Sequence, residues 1–203
     1  MNKPPLWTVP KGAWKGEPCF ILGGGPSLKA IDVNRLRGKG RVIAINAAFL
    51  IAPWADVLYI ADLGCYRNFK DRAHLFEGEH FVTRSKISDV DPAHNVKRVN
   101  KSLKMALSDE AGTVVGQDSG SNSLNLAYLF GASPIYLLGF DMTPGNWHDL
   151  HHKPQDVKHF KTYTHYLTRM APELARRGIE VFNCNPKSAL TCFPFADLNE
   201  VLA

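Results

Sequence analysis

The sequence predicts an α/β domain built on a largely parallel sheet flanked by helices. Two observations carry that prediction. Short, wholly apolar runs at 19–22, 42–45, 57–60 and 135–138 read as strands buried on both faces. Segments of helical periodicity lie between some of them, and strands alternating with helices favour parallel crossovers. Composition agrees. The chain has 203 residues, 45% hydrophobic and 21% charged, which suits one domain and excludes a disordered chain or a coiled coil. No apolar run reaches the ~18 residues a membrane-spanning helix needs.

Taken in order, residues 1–17 read as an arm. Pro4, Pro5 and Pro10 disfavour regular structure, and Trp7 and Trp14 are able to dock it on the domain or on a second copy. The domain then runs from 18 to 203. Its first strand, 19–22, is stopped by Gly23, Gly24 and Gly25. Pro26 and Ser27 begin a segment with Leu28, Ile31 and Leu36 at helical spacing. The second strand ends at Asn46 and the third near Asp62. Residues 81–82 and 96–99 are weaker strand candidates. A helix is expected over 121–130, closed by Gly131, before the strand 135–138 and Gly139, Phe140 and Asp141. Residues 142–155 read as a long loop, suspect as a lid. Helical periodicity returns from 156 to 177, disturbed at Pro172. A last strand is expected at 179–182 and a short final helix at 197–202.

Five groups of residues carry candidate chemistry. Gly23, Gly24, Gly25, Pro26 and Ser27 form a glycine turn between strand and helix. It is either a tight turn or a phosphate cradle, and it matches neither the Walker loop nor the dinucleotide fingerprint. Asn46, Asp62 and Asp141 stand at strand ends, where α/β sheets bind ligands and where polar residues also cap turns. Asp118, Ser119, Gly120, Ser121, Asn122 and Ser123 lie just before a helix, as caps or as nucleotide contacts. Five of the eight histidines, among them His148, His151 and His152, lie between 148 and 165 and suit acid–base work or a phosphate contact. Asn183, Cys184 and Ser188 follow the last strand, as a polar turn or another crevice loop. The four cysteines form no C-x-x-C pair, so no cysteine metal site is expected. Without an export signal in the sequence, a cytoplasmic location is expected. The net charge of +5 suits an anionic ligand and by itself argues only weakly for nucleic acid.

The ordered set resembles a known family. The stretch from Cys19 through Gly23-Gly24-Gly25-Pro26-Ser27 to Leu28 is similar to the opening of bacterial lipooligosaccharide sialyltransferases. Asn46 matches an Asn after their second strand. Ser119-Gly120 and the strand ending Gly139-Phe140-Asp141 resemble their Ser-Gly and Gly-Ile-Asp segments. His152 sits where they have a catalytic histidine, and the 183–190 segment resembles their Cys-Pro-Asn turn. The opening and the Gly-x-Asp strand are also similar to archaeal-type 6-hydroxymethylpterin diphosphokinases and their phage-encoded relatives. One position departs: Met142 and Thr143 stand where the sialyltransferases carry tyrosines that hold the leaving phosphate. Those contacts then fall to His148, His151 or Lys153.

The resemblance implies a single Rossmann-like domain and a nucleotide-dependent transferase. The leading expectation is a glycosyltransferase using a CMP-sugar-like donor and a hydroxyl acceptor, with His152 or His151 as general base and no obligatory metal. The second is a pyrophosphokinase using ATP and Mg²⁺ held by Asp62 and Asp141. A nucleotide-binding module without catalysis is the third. A homo-oligomer joined through the arm is a further expectation.

Overall fold

The computed structural model describes residues 6–84, 86, 91–150 and 156–203. Eight strands form one sheet, and every pairing in it is parallel. They are β1 (Cys19–Leu22), β2 (Arg41–Ile45), β3 (Val57–Ile60), β4 (His80–Arg84), β5 (Lys97–Ser102), β6 (Thr113–Val115), β7 (Ile135–Leu138) and β8 (Val181–Asn183). Their spatial order is β6-β5-β4-β3-β2-β1-β7-β8. The chain starts at β1, steps outward to β6, then returns to lay β7 on the other side of β1. Leu22 ends beside both Ala44 and Leu138. The order therefore reverses between β1 and β7, and a crevice opens beyond the carboxyl ends of these strands.

Alternate residues of the strands feed two cores. Ile21, Ile43, Tyr59, Val82 and Val99 face one side, packed under α2 (Ser119–Phe130) and α3 (Val157–Arg176). Phe20, Leu22, Ala44, Leu58 and Phe81 face the other. That side is covered by α1 (Leu63–Phe69), α4 (Leu198–Val201) and 3₁₀ turns at Pro26–Ala30, Val33–Leu36 and Asn46–Leu50. Burial on both faces is why the strands read as continuous apolar runs.

Several elements differ from the sequence expectation. The segment after Pro26 is two 3₁₀ turns rather than one helix, because Ile31 is extended and Asp32 caps a fresh turn through the Asn34 N–H. α2 starts at Ser119, two residues early, because Asp118 is its N-cap. α3 runs through Pro172 unbroken. The proline removes the bond to the Thr168 carbonyl, but Thr168 is exposed and water can replace it. β8 starts at Val181 because the Ile179 N–H is held by Leu174 O at the end of α3.

α2 is buried almost all round, which explains its polar face. Asn122 donates to Val115 O and Gly116 O and accepts from the Tyr59 hydroxyl. Asn125 exchanges bonds with the Ser108 backbone. These amides satisfy backbone groups around the short strand β6. The described part of the arm packs on its own chain. Trp7 N–H donates to Arg98 O, Val9 N–H to Ala111 O, and Trp14 stacks on Phe130 at 3.8 Å. Among the described residues no helix is long and apolar enough to cross a membrane.

Candidate functional site

A cleft of about 550 Å³ lies beyond the carboxyl ends of the central strands. It gathers the turn after β1, the ends of β2, β3 and β4, the head of α2, the turn after β7 and one face of α3. This is the crevice the strand order creates.

Its floor is a joint between the β1 and β7 turns. Gly25 N–H donates to Gly139 O, and Ser27 donates twice to Asp141: the N–H to Oδ1 at 3.1 Å and the hydroxyl to Oδ2 at 2.7 Å. Asn185 adds a bond to Asp141 Oδ1 at 3.0 Å. The glycines are required by this joint. A Cβ on Gly25 would stand 2.0 Å from Asp141 Oδ2, and one on Gly23 would stand 2.6 Å from Gly139 O. Gly24 is different, with Asn146 Oδ1 at 3.4 Å as its closest neighbour. The expected cradle of loop N–H groups is correspondingly reduced. Those of Gly23, Gly25 and Ser27 are bound to Leu138 O, Gly139 O and Asp141, and the helix beyond is a single 3₁₀ turn.

Two non-glycine residues in the cleft hold left-handed backbone, Asn46 at φ 52° and Met142 at φ 55°. Asn tolerates this conformation; Met at such a φ is strained. The Asn46 Oδ1 is buried with no hydrogen-bond partner among the described residues. An unpaired acceptor at a ligand-sized cleft points to a donor supplied from outside.

At the far wall, Asp118 caps α2, accepting the Ser121 N–H at 2.9 Å and its hydroxyl at 2.6 Å. Burial pushes this carboxyl above the ordinary carboxylate range, while the bonds from Ser121 pull the other way. From α3, Tyr163 faces the same wall, its hydroxyl raised by burial and by Asp118 and Asp62. Arg84 closes the β4 end, its Nε bonded to Ala61 O. Of the described residues that line the cleft, it alone carries a guanidinium or ammonium. Met142, Thr143, Gly145, Asn146 and His148 of the 142–150 segment line the cleft beside the glycine turn. Trp147 N–H donates to Gly24 O, and Leu150 N–H donates to His148 Nδ1, so a neutral His148 carries its proton on Nε2.

The raised Asp118 has a measurable consequence. The folded chain binds its proton more tightly than the unfolded chain does. That contribution is whole below the ordinary carboxylate pKa and is lost as pH rises through the folded value. The melting temperature of the wild type minus that of Asp118→Asn is therefore expected to fall as pH rises above the ordinary carboxylate range. A pH-independent difference would show that Asp118 titrates alike in both states.

Of the residues expected at a site, the cleft brings together Gly23, Gly24, Gly25, Asn46, Asp62, Ser119, Gly120, Gly139, Asp141 and His148. Asp62 also caps α1 through the Cys65 N–H. Five do not line the cleft. Pro26 is exposed outside it, and Ser27 and Ser121 serve Asp141 and Asp118. Asn183 and Ser188 bond to Phe140 O and hold the β7 and β8 loops together. Cys184 is no nucleophile candidate, since burial pushes its thiol up to about 12. His151 and His152 lie outside the described residues. Asp118, from the polar stretch before α2, lines the cleft as well, and Arg84, Asn146 and Tyr163 line it without having been singled out. Among the described residues, no group of three His, Cys, Asp or Glu is placed to hold a metal ion. Asp62 Oδ1 and both Asp141 carboxylate oxygens accept hydrogen bonds from the chain.

No family model matches the chain, and no curated protein does. Solved structures do. The sialyltransferase CST-II, crystallised with a trisaccharide acceptor and CMP, matches with a TM-score of 0.57 at 16% identity, over 90% of this chain and 87% of that one. CstII from Campylobacter jejuni with the substrate analogue CMP-3FNeuAc gives 0.54 at 16% identity, over 90% and 87%. The monofunctional α-2,3-sialyltransferase Cst-I from Campylobacter jejuni gives 0.55 at 16% identity, over 88% and 80%. The chain therefore has a sialyltransferase-like, Rossmann-like fold. The likeness lends nothing to the diphosphokinase or phage-related side of the sequence resemblance.

Proposed function

We propose that the chain is a glycosyltransferase that uses a CMP-sugar-like donor and a hydroxyl acceptor. One observation carries the proposal: the cleft at the β1/β7 reversal, with its buried unpartnered Asn46 Oδ1, in a fold shared with a sialyltransferase crystallised with CMP. The nucleotide lies across the glycine turn. Asn46 Oδ1 accepts from a ribose hydroxyl or a base amine. The leaving phosphate is met by the head of α2 at Ser119 and Gly120, by His148 and by Arg84. Asp141 takes no part in the chemistry and locks the floor. His152, or His151 beside it, serves as general base; the chain on either side of this pair lines the cleft at His148 and Phe160.

In the reaction the acceptor oxygen bonds to the anomeric carbon of the donor sugar. The bond from that carbon to the phosphate oxygen breaks, and its electron pair leaves with CMP. The acceptor's proton passes to the histidine and then to solvent. The 142–150 segment limits water, whose attack on the donor is the competing reaction.

The test is release of CMP from CMP-sugars with EDTA present. Turnover of at least one CMP-sugar is expected, raised by saccharide acceptors. Turnover of ATP with Mg²⁺, and none of any CMP-sugar, would transfer the site to pyrophosphoryl chemistry. Nucleotide binding without any turnover would make the chain a binding module.

A further inference from the structure

A second groove, of about 460 Å³, adjoins the cleft and shares Met142 and Phe160 with it. It follows α3 through Val157, Lys161, Thr164, His165, Thr168 and Arg169, with Ala189 on the opposite bank. Its fixed charge is of one sign: Lys161 and Arg169 lie along it, with the His165 imidazole between them and no Asp or Glu among its lining residues. The helix itself carries no acid from Val157 to Pro172. Lys158 and Lys161 lie in its first turns, where the helix dipole favours acids and disfavours cations. Asp156 caps that end, accepting the Lys158 N–H at 2.9 Å, and the first turn of the helix itself holds no acid. Among the described residues, no ion pair engages Lys158 or Lys161. Arg169 reaches Lys104 O at 3.2 Å, a carbonyl that leaves its charge uncompensated. Cations in the first turns are unfavourable for the isolated helix, and an anionic guest would offset that cost.

We propose that this groove binds the acceptor, and that the acceptor is an anionic saccharide carrying a phosphate or carboxylate. The proposal rests on the glycosyltransferase reading, because it places the acceptor beside the donor cleft. The apolar bank of Met142, Val157, Phe160 and Ala189 takes the sugar face, and Lys161, His165 and Arg169 take the anion.

Binding is read by amide chemical-shift titration of the full chain saturated with CMP. The probes are mannose, mannose 6-phosphate, glucuronate and a ten-residue oligothymidylate. Mannose 6-phosphate or glucuronate is expected to shift amides along 157–169 at least about tenfold more tightly than mannose. Whichever of the two binds tighter identifies the anion. Lys161→Glu combined with His165→Glu is expected to weaken that binding by about tenfold or more, with the CMP-induced melting shift unchanged. Both positions are exposed, and Lys161→Ala with His165→Ala guards against a folding artefact. Equal binding of mannose and the anionic sugars would overturn the proposal, as would tighter binding of the oligothymidylate to the same amides. If CMP binds and no sugar shifts α3, the groove assignment fails alone. If the anionic sugars shift α3 while CMP leaves the chain unshifted, the donor reading fails and the groove stands.

Discussion

Replacing His152 by alanine is expected to lower sugar transfer by ~10²–10⁴-fold while the melting-point rise caused by CMP is kept. A general base acts only on the proton in flight, so its loss falls on kcat and spares donor binding. The remaining activity comes from the positioned donor and acceptor. The wild-type rate should rise with pH as the imidazole loses its proton, and the alanine variant should lose that limb. His151→Ala is the partner experiment, expected to stay within about tenfold of wild type. The reverse pattern moves the role to His151. If both variants keep full rate, neither histidine is the base.

The second large effect is structural. Gly25→Ala drives a methyl to within 2.0 Å of the Asp141 carboxylate and 2.6 Å of Gly139 O. Neither can withdraw cheaply, since Asp141 is held by Ser27 and Asn185 and Gly139 O is backbone. Overpacking of this kind is expected to cost about 3 kcal/mol. In a chain of this length that lowers the melting temperature by roughly 6–12 °C. The nucleotide response should fall with it, because the cleft floor is the same joint. Gly24→Ala, one residue away, meets only Asn146 at 3.4 Å and is expected to change stability by less than about 1 kcal/mol. Thermal melts of the two variants side by side test the joint. Equal destabilisation would mean the turn is sensitive to any side chain.

The contrast between these glycines shows what the sequence could and could not convey. The central strands were legible because burial on both faces leaves an uninterrupted apolar run. β6 was not, since its three residues owe their place to pairing with β5 and to the amides of α2. α1 was hidden because Cys65, Tyr66 and Phe69 span too few turns to show a period. The glycine turn was recognisable, but three of its N–H donors serve the neighbouring β7 turn, a partner more than a hundred residues away. The strand-end rule found Asn46, Asp62 and Asp141. It failed at Asn183 because β8 is the edge strand, separated from the reversal by β7. Arg84 ends β4 as Asn46 ends up beyond β2, and a polar residue closing an apolar run was the available signal. Asp118 was legible at the head of the polar stretch before α2, although the helix start was set two residues late.

The account turns on a nucleotide in the cleft, and its most direct test is thermal melting with CMP, CDP, UDP, GDP, ADP and ATP, each with EDTA and with Mg²⁺. A ligand at a hundred times its Kd adds about 2.7 kcal/mol. That corresponds to a rise of roughly 5–11 °C for a chain of this size. The predicted result is a shift with CMP that persists in EDTA and is lost together with the fold's floor in Gly25→Ala. A shift with ATP alone, and only with Mg²⁺, or no shift with any nucleotide, would contradict it.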